Sequence, residues 1–149
     1  MTFTTRVLRP LPGFVSFLLV TSLVPAQDRD RDAVQASIER AFVRSDPDEL
    51  APSLSRRLKI YLAVPSLGID DAYYGADQSI MLLRRLLERR TTLRFIPGQG
   101  VRPTPDAPAV VTARWVLRDY DGAERDLRIS FTLAWEGSRL AIREIRELK

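Results

Sequence analysis

The chain has 149 residues, 23 basic against 19 acidic side chains for a net charge of +4, and neither cysteine nor histidine. Without cysteine it has no thiolate nucleophile, zinc–cysteine site or iron–sulfur cluster, and without histidine it has no Ser-His-Asp triad or histidine metal site. Any catalysis would therefore depend on Asp, Glu, Tyr, Lys or Arg.

The start of the chain has the three parts of a secretion signal. Arg6 and Arg9 precede an apolar run from Phe14 to Val24, which ends in a short segment of small residues. The run is shorter than the roughly 18–20 apolar residues of a spanning helix. We therefore expect cleavage between Ala26 and Gln27 and a secreted or periplasmic bacterial product with no stable membrane anchor; an uncleaved anchor is the alternative.

The sequence is expected to divide into a signal peptide (1–26), a flexible segment (27–33) and a single domain (34–149). Loss of the signal removes Arg6 and Arg9, so that 21 bases face 19 acids and the net charge falls to +2. The remaining charges of both signs alternate along the chain. A nucleic-acid module would concentrate basic charge on one face, so no nucleic-acid partner is expected.

The first half of the domain shows mainly helical periodicity. One amphipathic helix is predicted to end near Arg44, with a buried stripe at helical spacing: Val34, Ile38, Ala41 and Phe42. A second is predicted over Pro47–Leu54, with Asp46 as N-cap and Glu49 as the acid of a capping box. Alternation over residues 58–62 predicts a strand that Pro65 ends, and residues 65–76 are expected to form a loop.

A third helix is predicted with Asp77 as its N-cap, and it is expected to bury a stripe of Ile80, Leu83, Leu86 and Leu87. Its outward residues would be Arg84, Arg85, Glu88, Arg89 and Arg90. We interpret them as a solvated face with an Arg84–Glu88 pair; an anionic docking patch is the alternative.

The second half alternates with a period of two, which predicts strands. They are expected over Thr92–Pro97, around Val111–Leu117, over Leu127–Trp135 and from Leu140 to Ile145. A Gly/Pro-rich stretch (98–108) and the turns Asp121-Gly122 and Gly137-Ser138 separate them. The apolar spacing slips by one in the last strand, which predicts a bulge near Arg143.

Helices that cover an apolar sheet face give an α+β fold. The element order resembles the nuclear transport factor 2-like superfamily, with two segments similar to its motifs: Tyr73–Ile80, an aromatic-x-Gly entry into the third helix, and Trp135–Ile145, a closing hairpin. The resemblance implies three N-terminal helices packed on a curved antiparallel sheet, a cystatin-like cone. Secreted bacterial families of unknown function are the nearest members.

The resemblance leaves several functions open. The superfamily includes ketosteroid isomerases, cyclases, dehydratases, epoxide hydrolases and non-enzymatic binding domains. Its cyclases and dehydratases generally use histidine, which this chain lacks; the isomerases need carboxyls facing the pocket, and the strand positions predicted inward carry none. The hydrolases use an Asp-Arg-Asp set, whereas Arg114 and Asp126 are predicted outward. The expected function is an exported, non-catalytic binding domain; a cofactor-free isomerase or hydrolase that uses Asp or Tyr on a small apolar substrate is the alternative.

No residue is assigned to catalysis, to a cofactor or to a metal; Asp70 and Asp71 are expected to serve the loop. The side chains proposed to line a pocket for a small apolar ligand are Tyr61, Tyr73, Tyr74, Trp115, Phe131 and Trp135. The alternative is that they belong to the core, which the alternating series favours for Trp115 and Trp135. A homodimer is also possible, through the open sheet face of Arg128, Ser130, Thr132 and Ala134.

Overall fold

The computed structural model describes residues 26–98 and 107–149, with side chains described from residue 29. The predicted signal peptide up to Pro25 and most of the predicted 98–108 loop lie outside the described residues. The elements are helix α1 (Ala26–Val43), a 3₁₀ helix (Pro47–Ser53), β1 (Ile60–Val64), a 3₁₀ turn (Pro65–Leu67), β2 (Ile69–Tyr74), α2 (Ala76–Glu88), β3 (Thr91–Pro97), β4 (Ala109–Arg118), β5 (Glu124–Glu136) and β6 (Arg139–Leu148).

The described strands form one sheet in the order β2-β1-β6-β5-β4-β3. The α+β class is confirmed, but the sheet is mixed rather than antiparallel, because β1 pairs in parallel with β6. The other neighbouring strands are antiparallel. The expectation of a purely antiparallel sheet was wrong since sequence periodicity indicates where a strand lies but not which distant strand it pairs with.

The expected set of three N-terminal helices is not confirmed. The second helical segment is a 3₁₀ helix, and two strands precede α2. Asp46 caps the 3₁₀ helix as predicted, accepting from the Asp48 N–H at 3.1 Å, but Glu49 binds Arg40 and Arg44 instead of closing a capping box. Residues 27–33, expected as a flexible segment, lie in α1, which begins at Ala26.

Helix α2 begins two residues earlier than an N-cap at Asp77 would allow. Gly75 is its N-cap, and the Gln78 side chain accepts from the Gly75 N–H at 3.1 Å. Asp77 lies in the first turn, where an acidic side chain interacts favourably with the helix dipole. The predicted buried stripe is confirmed.

The loop predicted over residues 65–76 was wrong. Residues 69–74 form strand β2, which pairs with β1. Three of its six side chains, Asp70, Asp71 and Tyr73, are exposed. A polar strand at the margin of a sheet lacks the apolar alternation of a central strand, so the sequence pattern concealed it.

The last three strands match their predictions and extend them by one to three residues at each end. In the β5–β6 ladder Thr132 pairs with Glu144 and Leu133 with Ile142, so Arg143 is the extra residue of a bulge. The bulge predicted near Arg143 is therefore confirmed. It returns Ile142 and Ile145 to the same buried side of the sheet.

The core lies between the helices and one face of the sheet. Its centre is aromatic, because the Phe42 ring of α1 stacks on Phe95 with centroids 4.9 Å apart. The same ring meets Trp115 edge-on at 4.9 Å and Phe131 edge-on at 5.6 Å. Helix α1 is thus anchored to β3, β4 and β5 through a single side chain.

Candidate functional site

The six aromatic residues proposed for a pocket divide between the core and the surface. Trp115 and Phe131 are buried beneath Phe42, and the Trp115 indole N–H donates to Thr92 Oγ1 at 3.0 Å. Trp135 and Tyr74 are half-buried against the core. The buried Trp135 Nε1 has no hydrogen-bond partner within the described residues.

Tyr61 and Tyr73 lie on the other face of the sheet. They are paired across β1 and β2 with ring centroids 5.2 Å apart. The Arg146 guanidinium lies 5.7 Å from the centre of the Tyr61 ring, a cation–π geometry. None of the six proposed residues lines any of three grooves on the described part of the chain. The ligand pocket itself stays a prediction.

Glu136 is one of two carboxylates that the structure buries and that sequence reasoning did not single out. Its side chain is 5% exposed and accepts from the Ser55 hydroxyl and, at 3.1 Å each, from Arg139 and Arg143. Burial alone would raise the pKa of Glu136, but hydrogen bonds from Ser55, Arg139, the Arg56 backbone and Arg143 outweigh burial and hold that pKa below its ordinary value.

Asp119, at the end of β4, is the second buried carboxylate. Its side chain is 4% exposed and pairs with Arg90, with Nε and Oδ1 2.8 Å apart, and with Arg125. Arg90 was predicted outward, but it is only 12% exposed because it turns in towards Asp119. A general base for neutral pH needs a carboxylate poised to take a proton. Each of these is held by two arginines, which favours a structural role.

The arginines of α2 do not form the single patch that the sequence allowed. Arg84 binds Asp48 of the 3₁₀ helix, with Nη2 2.6 and 2.8 Å from the two carboxylate oxygens, instead of Glu88. Arg85 and Arg89 are exposed, whereas Arg90 faces inward. The expected Arg84–Glu88 pair was therefore wrong, because a tertiary partner replaces the local one.

The outer face of the sheet, away from the helices, carries short side chains along β4 and β5. We call five of them the outer sheet patch: Val110, Thr112, Ser130, Thr132 and Ala134. Val110 pairs with Thr132, and Thr112 with Ser130. Val110 is 39% exposed, whereas Ser130 is buried at 2%, although none of the described helices packs on this face. The short side chains in the centre of the patch therefore lie below their exposed neighbours.

Charges of both signs surround this patch. Arg114 binds Asp126, with Nε 2.9 and 3.0 Å from the carboxylate oxygens, which lowers the pKa of Asp126. Both side chains are exposed, so their predicted outward orientation is confirmed. Glu144 pairs with Arg146 at 3.0 Å on the β6 side.

Two open grooves lie on the helical side. The α1 groove, of about 500 Å³, runs between α1, the 3₁₀ helix and the β5–β6 turn. Its polar lining consists of Asp30, Ser37, Arg40, Ser53, Ser138 and Arg139. A second groove of about 490 Å³ separates the 3₁₀ helix from the start of α2 and is lined by Ala51, Leu54, Ile80 and Arg56, among others.

Within residues 26–98 and 107–149, no group of three or more acidic side chains is placed to hold a metal ion. Asp70 and Asp71 are both exposed, and they belong to β2 rather than to a loop. None of the helices in this part of the chain is long and apolar enough to cross a membrane.

No protein-family model and no curated protein matches the chain in sequence. Solved structures do match it in shape. A DUF4783 family protein from Bacteroides uniformis superposes with a TM-score of 0.64 at 14% identity, over 78% of this chain and 96% of that one. A Rhodopseudomonas palustris protein named as a candidate isomerase gives 0.58 at 13%, over 79% and 87%.

An NTF2-like protein of unknown function from Shewanella oneidensis gives a TM-score of 0.53 at 14% identity, over 80% of this chain and 97% of that one. Identities this low establish the fold and nothing finer. These matches confirm the fold family that the Tyr73–Ile80 and Trp135–Ile145 segments resembled. The chain therefore has the nuclear transport factor 2-like fold, which it shares with bacterial proteins of unknown function.

Proposed function

We propose that this chain is a non-catalytic interaction domain that forms a homodimer through the outer sheet patch. The observation that carries the proposal is the row of short side chains on β4 and β5, with Val110 exposed at its margin. Sheets pack face to face about 10 Å apart. Short side chains such as Ser130 and Ala134 permit that approach without rearrangement.

The charged side chains at the border of the outer sheet patch favour a second copy of this chain as the binding partner. The Arg114–Asp126 and Arg146–Glu144 pairs place both signs at the border of the patch. In a two-fold interface each surface meets itself, so a border with both signs can complement its own copy. Arg128, which pairs with Arg114 across β4 and β5, adds a further positive charge to this border.

The interior supports a non-catalytic role. Phe42, Trp115 and Phe131 pack against one another between helix α1 and the sheet, and neither the α1 groove nor the second groove opens among them. The buried carboxylates of Asp119 and Glu136 are each committed to two arginines. A solved Rhodopseudomonas palustris protein of similar fold is named as a candidate isomerase, so an enzymatic role is the alternative proposal. Against it, both buried carboxylates already pair with arginines.

The experiment is a measurement of molar mass by light scattering and sedimentation equilibrium from about 10 µM to 1 mM, the range in which interfaces of modest affinity assemble. We expect a dimer for the unmodified protein and a monomer for Thr132→Arg, because an arginine in the centre of the patch holds two sheets apart. Val110→Arg, at the margin, should weaken the dimer without changing the fold.

Met81→Arg is the matched control, since Met81 is also an exposed apolar residue (50%) but lies on α2. It should leave the dimer intact. Circular dichroism would show that all three variants are folded. A monomeric unmodified protein at 1 mM, or equal dissociation by Met81→Arg, would rule out the outer sheet patch as the interface.

A further inference from the structure

We propose that the α1 groove binds a small anionic molecule, through a carboxylate or phosphate group held between Arg40 and Arg139. Both arginines line this groove, Arg40 from α1 and Arg139 from the β5–β6 hairpin. The groove lies on the helical side of the molecule and is separate from the outer sheet patch, so this proposal goes beyond the proposed dimerisation.

Charge on both sides of the groove favours an anion. Arg40 shares Glu49 with Arg44, at 3.0 and 3.5 Å. Arg139 shares Glu136 with Arg143, at 3.1 Å each. Each network therefore joins two guanidinium groups to one carboxylate and keeps one positive charge. Asp30 is the only acidic residue in the described lining, so it offsets only one of the two remaining positive charges.

The two guanidinium groups keep hydrogen-bond donors for a ligand. An arginine has five N–H donors in a fixed planar array. Arg40 uses Nε on Glu49 and one N–H of Nη2 on Ser37, at 3.0 and 3.3 Å. Arg139 donates from Nη1 to the Pro52 carbonyl, and from Nη2 to the Leu54 carbonyl and the Glu136 carboxylate. Their side chains are 42% and 37% exposed, so the remaining donors can reach solvent or an oxyanion.

Ser53 adds a hydroxyl group to the lining of the groove. The residue as a whole is 7% exposed, and it faces the groove from the end of the 3₁₀ helix. Ser37, equally buried, already accepts from Arg40. A hydroxyl so placed can donate to an anionic oxygen between the two arginines.

The size and the remaining lining set the class of ligand. A volume of about 500 Å³ lies within the roughly 300–1,000 Å³ of small-molecule sites. The walls are formed by apolar residues such as Val34 and Leu140, and Asp30 and Ser138 offer acceptors at the margin. The expected ligand is therefore a small carboxylate or phosphate ester that also carries hydroxyl or amino groups.

The test is a titration of the ¹⁵N-labelled protein with inorganic phosphate and, in parallel, with acetate, followed by NMR. We expect saturable shifts of the Ser37, Ser53 and Ser138 amides at millimolar concentrations, because each probe carries only the anionic group. Saturation by phosphate alone would identify a phosphate ester as the ligand class, and saturation by acetate alone a carboxylate. Either result supports the site.

Two variants and one matched control decide whether the groove is responsible. Arg40→Gln should weaken the probe's affinity roughly tenfold, the usual effect of one charged hydrogen bond, and Ser53→Ala should weaken it roughly threefold. Arg139 is not changed, because it also binds the Pro52 and Leu54 carbonyls. Arg84→Gln is the control: Arg84 is equally exposed (45%) and also binds a carboxylate, but it lies outside the groove.

Three outcomes would overturn the proposal. The first is a linear, non-saturating response to both probes, which indicates ionic strength alone. The second is an equal loss of affinity in Arg84→Gln and Arg40→Gln, which indicates nonspecific attraction to surface arginines. The third is saturable shifts that lie away from the three serines.

Discussion

At the scale of single residues, Glu136 shows how a carboxylate remains charged when its side chain is only 5% exposed. Burial disfavours the ionised form, and donors from Ser55, Arg139, the Arg56 backbone and Arg143 reverse that preference. The partners come from separate parts of the chain, since Ser55 is 81 residues from Glu136. The network therefore ties the segment after the 3₁₀ helix to the β5–β6 hairpin.

We predict that Glu136→Gln lowers the free energy of unfolding at pH 7 by about 2 kcal/mol, the scale of hydrogen bonds to a charged group. The folded pKa of Glu136 is lowered, so its contribution is present above the ordinary pKa of a glutamate and is lost as the pH falls through the lowered value. Urea unfolding between pH 7 and pH 3 measures both effects.

Acidification should accordingly cost the Glu136→Gln variant less stability than it costs the unmodified protein. Glu88→Gln is the control, because Glu88 is an exposed glutamate of α2. It should unfold at the same urea concentration as the unmodified protein at pH 7. Identical pH profiles for the unmodified protein and Glu136→Gln would contradict the role assigned to the buried carboxylate.

At the scale of elements, the 3₁₀ helix connects α1 to the rest of the domain. It begins after Ser45, which adopts a positive φ of 54°, and Asp46 supplies its N-cap. Asp48 then binds Arg84 of α2, and Glu49 binds Arg40 of α1. A segment of seven residues thus contacts both α-helices, which explains why Glu49 is unavailable for a capping box.

We predict that Asp46→Ala destabilises the protein by about 1 kcal/mol, the usual effect of losing an N-cap. Asp46→Asn should restore most of the stability, because an asparagine oxygen caps as well as a carboxylate does. Thermal unfolding monitored by circular dichroism distinguishes the two. An equal loss of stability in both variants would show that the charge of Asp46, rather than its hydrogen bond with the Asp48 N–H, stabilises the protein.

At the scale of the whole molecule, Phe42 connects helix α1 to three strands at once. Phe95, Trp115 and Phe131 all pack against its ring. Aromatic contacts of this kind add to the free energy of burial, and a truncation here leaves a cavity that three strands and a helix would have to close. The cost should therefore appear in the global unfolding transition.

We predict that Phe42→Ala lowers the free energy of unfolding by about 3–5 kcal/mol, a large share of the roughly 5–15 kcal/mol of a typical domain. Phe42→Leu should have a smaller effect and keeps the measurement possible if the alanine variant does not fold. Tyr120→Ala, which removes an aromatic side chain that is 83% exposed, should stay within about 0.5 kcal/mol of the unmodified protein. Denaturant unfolding checks all three, and a Tyr120→Ala effect as large as that of Phe42→Ala would contradict this assignment.

Local pattern was sufficient to place most of the elements. The alternation from Leu127 to Trp135 and the slipped spacing near Arg143 predicted β5 and the bulge of β6, both of which the structure confirms. The stripe from Ile80 to Leu87 predicted α2 in the same way. These features depend on neighbours a few residues apart, whose periodicity is written directly in the sequence.

The proposed site was less accessible to such reasoning. Trp115 was correctly favoured as core, whereas Trp135 is only half-buried against the core. Nothing in the local pattern indicated that Asp119 and Glu136 are buried or that Arg90 turns inward. The grouping of Arg40, Ser53 and Arg139 into one groove joins three separate elements. Export of the domain stays a prediction from the sequence, since residues 1–25 lie outside the described part of the chain.

The sequence by itself therefore determined the α+β class, the order of most elements and the absence of cysteine and histidine chemistry. Tertiary structure decided the parallel pairing of β1 with β6, the strand nature of Ile69–Tyr74 and the partners of each buried charge. The physical reason is the range of the interactions. Periodicity reports burial along a single segment, whereas strand pairing and ion-pair networks depend on which distant segments the packed core brings together.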